Sequence, residues 1–295
     1  MLDPDEAINR IYKVYGGPHG SRGLHAKGQF YDGTFTASPE AAELCRAPHL
    51  QGSEVPVTVR WSNASGHPRS SDKASDIRGM AVKFRTPAGA TDLLGQTSPR
   101  FPVRDPEVFI QLTEASAKPY LIPLFLARHP SAAPAVLANL RSKTLVAPYS
   151  FAEVSYYPIH AYGWLAADGA RSWVRYVLAP LATRDDRLAT KFEGRDRLVE
   201  EMAARLDRGT VRFDLRVTVA GDGDDPHDPM SVWKGASEFS AGIVEVASAA
   251  PDPEADDGGP VVFDPVRIVD GITLSEDPIL LYRPHAYSTS VSRRS

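Results

Sequence analysis

The stretch Val55-Pro-Val-Thr-Val-Arg-Trp-Ser-Asn63 alternates between apolar and polar side chains, which is the period of a β-strand with one buried face. The apolar face would hold Val57, Val59 and Trp61. Arg60 and Ser62 fall on the opposite face, where they would be solvated in an exposed hairpin but would point at a ligand inside a barrel with a polar cavity. The stretch therefore predicts a strand. If its polar face is buried, the protein has an internal polar site, and if that face is solvated, it does not.

Strand and helix patterns alternate along the rest of the chain. Strand patterns cover residues 29–35, 76–84, 149–164, 171–178, 211–219, one or two segments within 231–246, and 261–264. Helical patterns cover residues 3–15, a segment that starts at Asp105-Pro106, several short pieces within 119–142, and residues 195–208. Short turns between strands favour antiparallel pairing. Since no domain boundary is visible, residues 1–295 are predicted to form a single α+β domain, an antiparallel barrel or sandwich with helical insertions.

The composition is that of an ordinary globular protein, with 42% hydrophobic residues, 24% charged residues and a net charge of −4. This charge gives no sign of a nucleic-acid surface. The single cysteine, Cys45, excludes an internal disulfide, and no His/Cys spacing resembles a zinc site, so a reducing, cytoplasmic location is expected. The N-terminus lacks a secretory pattern, and the most apolar run, residues 120–127, is too short to span a membrane. We therefore expect neither nucleic acid nor membrane as a partner.

Two residues near the end of the chain, Arg283 and Tyr287, are one helical turn apart, so a guanidinium can lie against a phenol oxygen. A neighbouring cation favours the phenolate, and a phenolate is a strong ligand for ferric haem iron. The same spacing fits an ordinary surface pair. His25, between a loop and a strand, is likewise either a structural residue or an acid/base. Both alternatives stay open for these residues taken alone.

Eight motifs, in order from about residue 20 to the C-terminus, resemble the landmarks of haem catalases. They are Arg22-x-x-His25-Ala-Lys-Gly, Val59-Arg-Trp-Ser62, Asp76-x-Arg-Gly-x-Ala-Val-Lys-Phe84, Asp92-Leu-x-Gly-x-x-x-Pro99-x-Phe101, Arg104-Asp-Pro-x-x-Phe109, Asp228-Pro-x-x-Val-Trp233, Phe263-Asp-Pro and Arg283-x-x-x-Tyr287. One such motif would be weak evidence, whereas this many in order are hard to obtain by chance. Because the chain is shorter than an ordinary catalase and ends soon after Tyr287, it resembles the minimal, catalase-related peroxidase branch.

The resemblance implies a closed eight-stranded antiparallel β-barrel around haem b, with ferric iron and Tyr287 as its axial tyrosinate. His25 would be the distal acid/base, and Arg283 would keep Tyr287 ionised. The other cofactor-binding residues that it implies are Arg22, Arg60 and Arg294 at the propionates, Ser62 as the group that orients His25, and Phe101 and Phe109 around the porphyrin.

The chain departs from the catalases at Gln96, where they carry an asparagine. The additional methylene of Gln96 would misplace the amide that holds a second peroxide. A misplacement of about 1 Å can lower the rate of a reaction about a hundredfold. We therefore expect a haem-dependent peroxidase, with His25 and Gln96 as catalytic residues. It would reduce hydrogen peroxide or organic hydroperoxides with a small organic electron donor, and have weak catalase activity at most. A homodimer is the candidate assembly.

Three alternatives remain at this stage. The first is a biosynthetic haem enzyme that acts on a lipid hydroperoxide or a pathway intermediate, similar to the catalase-fold allene oxide synthases. The second is a haem carrier or sensor without turnover. The third is a lipid-binding barrel without haem. Reaction with peroxide, and its dependence on His25, would distinguish the peroxidase from the second and third.

Overall fold

The computed structural model describes residues 2–16, 21–252 and 261–292. Nine β-strands in this part of the chain form one antiparallel sheet in the order β4-β3-β2-β1-β8-β7-β6-β5-β9. The strands are β1 (Gly28–Ala37), β2 (Val55–Asn63), β3 (Arg78–Thr86), β4 (Gly89–Gln96), β5 (Tyr162–Leu165), β6 (Arg171–Pro180), β7 (Val211–Val219), β8 (Ser237–Ala249) and β9 (Ile272–Leu274). The α-helices are α1 (Pro4–Tyr15), α2 (Pro39–Leu44), α3 (Pro106–Ser116), α4 (Ile122–Arg128), α5 (Ala133–Arg141), α6 (Arg197–Leu206) and α7 (Pro278–Ser292).

The sheet is a curled half-barrel, so the expected closed barrel of eight strands is wrong in both strand count and closure. Its ladder is linear, with β4 and β9 at the two ends. Among the described residues, the segment at Tyr156 and Tyr157 lies between β4 and β6 and makes one isolated bridge to each strand, with Gln96 and with Leu178. These bridges do not close the sheet into a barrel. Pro158 follows at once, and because proline has no N–H to donate, the ladder does not continue there. The expected α+β class and antiparallel pairing are confirmed.

Two predicted strands differ from the structure. Residues 149–164 contain the 3₁₀ turn Phe151–Glu153 and the isolated bridges before the short strand β5 begins at Tyr162. Residues 261–264 form a loop, and the last strand is β9. The carbonyls of Val261 and Val262 accept hydrogen bonds from arginine and lysine side chains instead of from a neighbouring strand.

Strand β2 has both faces buried from Val59 to its end. Trp61 is completely buried and packs against Tyr31, Phe151 and Phe213, with ring centroids 4.9, 6.2 and 5.9 Å away. On the other face Arg60 is only 7% exposed. The hairpin alternative, in which Arg60 would be solvated, is therefore wrong, and the polar face of β2 points into the protein.

Most predicted helices are confirmed. Helices α1 and α3 both begin at the proline of an Asp-Pro pair, and the side chains of Asp3 and Asp105 accept a backbone N–H of the first turn. The proline-rich region after α3 contains α4 and α5 with short 3₁₀ turns, as predicted. Within the described ranges, no single helix has the length and apolarity to cross a membrane. The segments Pro119–Arg128 and Pro130–Arg141 have sufficient length and apolarity only when they are counted together, and a bend of 114° separates them.

Candidate active site

The sheet side of the candidate site is built on one transverse row of residues. Gly28, Ser62, Gly79 and Gln96 lie opposite one another on β1 to β4. Residues directly opposite in adjacent strands have their side chains on the same face. The row therefore presents two polar side chains, from Ser62 and Gln96, next to two positions without a side chain.

The missing side chain at Gly79 makes room for His25. A Cβ atom at this position would lie 2.7 Å from both Nδ1 and Cε1 of the imidazole. His25 itself has a left-handed backbone, with φ of 55°, which is uncommon for a residue other than glycine. Its N–H donates to the carbonyl of Ala64 at 3.1 Å, and its own carbonyl accepts from Nη1 of Arg60 at 3.0 Å. These contacts hold the unusual backbone in place.

The imidazole of His25 is poised as a neutral base. Its Nδ1 lies 2.9 Å from Oγ of Ser62, so proton exchange with a substrate falls to the other ring nitrogen, Nε2. Burial, followed by the positive charges of Arg60, Arg283 and Arg22, lowers the pKa of His25 to about 3. At neutral pH the ring is therefore uncharged and can accept a proton.

Helix α7 supplies the opposite side of the site. Arg283 donates from Nε and Nη2 to the phenol oxygen of Tyr287, at 3.0 and 2.5 Å. The predicted contact across one helical turn is therefore present. Two N–H groups from a cation stabilise negative charge on that oxygen. Asp277 accepts from the backbone N–H groups of Ile279 and Leu280 and so caps the start of the helix.

A buried relay behind Arg283 was missed in the sequence analysis. Nη1 of Arg283 lies 3.0 Å from Nε2 of His160, and Nδ1 of His160 lies 2.6 Å from Oδ2 of Asp277. Because a guanidinium only donates, Nε2 must accept and Nδ1 must carry the proton that goes to the carboxylate. Burial lowers the pKa of His160, which fits this neutral form. The relay fixes the position of the guanidinium that faces Tyr287.

The two sides enclose a cavity of about 250 Å³. It is lined by every predicted site residue that the structure describes: Arg22, His25, Arg60, Ser62, Gln96, Phe101, Phe109, Arg283 and Tyr287. Arg294 lies outside the described residues. His285, the histidine beside the Arg-Tyr pair, is exposed and does not line the cavity. An apolar wall from α1, with Ile8 and Ile11, was not predicted.

The described residues offer no cluster of three or more His, Cys, Asp or Glu side chains that could hold a metal ion. Among the predicted site residues that the structure describes, Tyr287 offers a phenol oxygen, a donor type that haem iron accepts, and this oxygen is in contact with Arg283. An iron ion here would have to bring its own equatorial ligands, as it does in a porphyrin. Phe101 and Phe109, stacked with centroids 5.7 Å apart, give the cavity the apolar surface that a porphyrin requires.

Comparison with known proteins agrees with this chemistry. A sequence model of the catalase family matches residues 19–295. A catalase-related peroxidase of Mycolicibacterium paratuberculosis is 44% identical over 100% of this chain and 95% of its own length. A catalase-related peroxidase of Synechococcus elongatus is 27% identical over 100% of this chain and 89% of its own length.

The fold is that of larger catalases. A fungal catalase structure superposes with a TM-score of 0.75 at 19% identity, covering 98% of this chain but 64% of the fungal one. This likeness concerns the fold alone, and the chain spans about two thirds of that protein. From the matched family and the full-length relative, the chain belongs to the catalase family, in the branch of the catalase-related peroxidases.

Proposed function

We propose that the protein is a haem peroxidase that reduces hydrogen peroxide or organic hydroperoxides at the expense of a small organic donor. The observation that carries the proposal is the pairing, across one cavity, of a neutral buried imidazole with an arginine-bound phenol. The relatives named catalase-related peroxidases support the same reaction. In balanced form, one hydroperoxide and two donor molecules give one alcohol or water, a second water and two donor radicals.

Membership of the catalase family implies a haem cofactor. We infer that it is haem b and that Tyr287 is its axial ligand. When bound, the haem supplies the ferric iron at which the oxidising equivalents of the peroxide are stored and passed to the donor. Arg22 and Arg60 line the cavity and would attract the propionates; Arg294, beyond the described residues, stays a sequence prediction for the same role.

His25 performs the proton transfers. As a neutral base it accepts the proton of the near oxygen of the peroxide and returns it to the far oxygen, so that the leaving group departs as water or an alcohol. Ser62 keeps the ring oriented through Nδ1. Arg60 keeps the backbone of His25 in its left-handed conformation. Both are therefore positioning residues for the same step.

Gln96 is proposed to limit catalase turnover. It ends β4 and its backbone is paired with Tyr157, through Gln96 N–H to the carbonyl at 3.2 Å and the return bond at 2.7 Å. The backbone cannot therefore retract to compensate for the longer side chain. A second peroxide would be held less well than by an asparagine, whereas reduction by an organic donor does not need that amide.

The matches do not favour the biosynthetic, carrier or haem-free alternatives, because the full-length relatives are named as peroxidases. We further propose a cytoplasmic location and a homodimer; these rest on the sequence alone.

The experiment that tests the function is a peroxide titration of the purified, haem-loaded protein. A Soret band that shifts with hydrogen peroxide and returns on addition of guaiacol is the expected result, with oxygen release far slower than donor oxidation. Rapid oxygen release without a donor would overturn the proposal of weak catalase activity. A His25→Ala variant that reacts with peroxide as fast as the parent would overturn the mechanism.

A further inference from the structure

Residues 118–146, which we call the 118–146 segment, carry most of the large apolar side chains that face solvent. In the described ranges, six of the nine strongly exposed side chains of this kind belong to the segment, with exposed fractions between 40% and 74%. They are Tyr120, Leu124, Leu137, Leu140, Leu145 and Val146. Single exposed apolar residues are ordinary, whereas a concentration of them marks a surface that binds a partner.

The exposed side chains lie on the outer faces of two short helices. In α4, Leu124 and Arg128 are exposed and one helical turn apart, whereas Phe125 is buried in an apolar cluster. In α5, Leu137 and Arg141 are likewise exposed and one turn apart. Each helix therefore presents a leucine and a cation to solvent while its inner side is packed.

The formal charge of the segment is entirely positive. Its charged residues are Lys118, Arg128, Arg141 and Lys143. The sequence has no aspartate or glutamate from residue 115 to residue 152, although the whole chain has a net charge of −4. All four basic side chains are exposed, and none forms an ion pair with another residue that the structure describes. Basic side chains of this kind, interspersed with leucines, attract an anionic partner.

A second copy of the chain fits this surface poorly. In a two-fold dimer each protomer contributes the same patch, so the four cations of one copy would face the four of the other. Like charges opposed across an interface disfavour association. The proposed homodimer would therefore use another face, and the occupant of the segment carries negative charge.

The apolarity of the two helices favours lipid over an acidic protein. Counted together, Pro119–Arg128 and Pro130–Arg141 have the length and apolarity of a membrane span, but the bend of 114° interrupts them. Arg128 and Arg141 each lie in the last turn of their helix. Short apolar helices with cations at their ends can lie in the headgroup region without crossing a bilayer.

We propose that the 118–146 segment binds the surface of an anionic lipid bilayer. The leucines enter the boundary between headgroups and acyl chains, and the basic side chains contact the lipid phosphates. Tyrosine, as at Tyr120, is enriched at this depth. The expectation of no membrane partner considered only a spanning helix, which surface binding does not require. The proposal goes beyond the peroxidase function and does not depend on it.

The first test measures lipid selectivity. The haem-loaded protein is mixed with vesicles of phosphatidylcholine, with or without about one quarter phosphatidylglycerol, and the bound fraction is measured by flotation. We expect binding to the anionic vesicles to be at least about tenfold stronger, and to fall about tenfold when salt is raised from about 0.05 M to 0.5 M. Equal binding to both kinds of vesicle, or binding to neither, would overturn the proposal.

The second test locates the contact. Leu124→Asp and Leu137→Asp should each weaken binding to anionic vesicles by at least about tenfold, because an apolar contact is replaced by a charge that the lipids repel. Leu181→Asp adds the same charge at a similarly exposed leucine outside the segment, and should stay within about twofold of the parent. A Leu181→Asp protein that loses as much binding as the other two would contradict the assignment.

The basic residues are tested by neutralising them. The double variant Arg128→Gln, Arg141→Gln should bind anionic vesicles about tenfold more weakly than the parent. Arg184→Gln, Arg208→Gln removes the same number of exposed cations outside the segment and is the matched control. Equal losses in the two double variants would show that net charge alone attracts the protein, and the segment would not be the contact.

A fluorescent probe tests insertion directly. Because Cys45 is buried, a cysteine introduced as Leu137→Cys can be labelled selectively with an environment-sensitive maleimide. Its emission should rise at least about twofold with anionic vesicles, while that of the labelled control Leu181→Cys should not change. Unchanged emission from Leu137→Cys on vesicle-bound protein would contradict the proposal. So would a dimer, seen by sedimentation without lipid, that Leu137→Asp dissociates, since the segment would then be a protein interface.

Discussion

The two sides of the cavity are built in different ways, one around an imidazole and the other around a phenol. On the sheet side, His25 is kept neutral by burial and by three arginines. On the α7 side, the phenol oxygen of Tyr287 receives two hydrogen bonds from Arg283. Arg283 acts on both sides, since its charge also lowers the pKa of His25. One guanidinium thus contacts the phenol oxygen and helps to keep the imidazole neutral.

The difference extends to what holds each group. The position of His25 depends on strand register, through the row that contains Ser62 and Gly79. The position of Arg283 depends on side-chain contacts between distant parts of the chain, because His160 and Asp277 are 117 residues apart. The sheet side should therefore be sensitive to added volume, and the α7 side to lost polar partners.

The largest expected effect is on the sheet side. His25→Ala should slow the reaction with hydrogen peroxide by about 10²- to 10⁴-fold, because the only proposed proton acceptor is lost. Stopped-flow absorbance measures the rate. The ferric Soret band, which reports the α7 side, should stay the same. A loss of haem in this variant would show that the two sides are not separable.

The relay on the α7 side is tested by stability. Asp277→Ala removes a helix cap and leaves the Nδ1–H of buried His160 without an acceptor, so the free energy of unfolding should fall by about 3 kcal/mol. Asp277→Asn keeps an acceptor oxygen, so the free energy of unfolding should fall by only about 1 kcal/mol. Urea denaturation of both variants makes the comparison. Equal losses would show that the charge of the carboxylate, not its hydrogen bonds, is what the relay needs.

Added volume tests the sheet side. In Gly79→Ala, the Cβ atom would meet the imidazole of His25 at 2.7 Å, so the ring must shift, and the peroxide reaction should slow by about 10- to 100-fold. Gly194→Ala is the control, since the nearest atoms are those of a flexible carboxylate, Glu200. A Gly79→Ala protein with the parental rate would mean that the row does not position His25.

The smallest expected effect concerns His49, whose pKa is lowered by burial without a contribution from neighbouring charges. His49 is buried away from the cavity, and burial alone lowers its pKa to about 4. His49 of the unfolded chain takes up a proton near pH 6.5, whereas His49 of the folded chain does not. The contribution of this residue to the free energy of unfolding is therefore fully present above pH 6.5 and decreases as the pH falls towards 4. Between pH 6.5 and 5.5 the loss should be about 1 kcal/mol. His49→Phe should remove this part of the pH dependence, whereas an unchanged dependence would contradict burial as its cause.

The sequence predicted the sheet side well and the α7 side only in part. The alternation around Trp61 established β2, and with it the burial of Arg60 and Ser62. Closure was mispredicted because the pairing of distant segments, such as Tyr156 with Leu178, depends on how far a ladder extends before a proline stops it. The Arg283–Tyr287 pair lies within one helical turn and was therefore visible.

Long-range side-chain contacts were not visible. His160 lies in an aromatic segment that gave no sign of its partner, although Asp277-Pro278 repeats the helix-start pattern of Asp3-Pro4. The wall from α1 was missed for the same reason, since periodicity shows that Ile8 and Ile11 share a face but not what that face covers. The periodicity of apolar residues predicts individual helices and strands. Which of their faces pack against one another is seen only in the tertiary structure.

The central claim is that Tyr287 holds the haem iron from the α7 side while His25 acts from the sheet side. Resonance Raman spectroscopy of the ferric holoprotein tests it most directly. The claim predicts phenolate vibrations coupled to the iron in the parent and in His25→Ala, and their loss in Tyr287→Phe. A spectrum of Tyr287→Phe identical to that of the parent would contradict it.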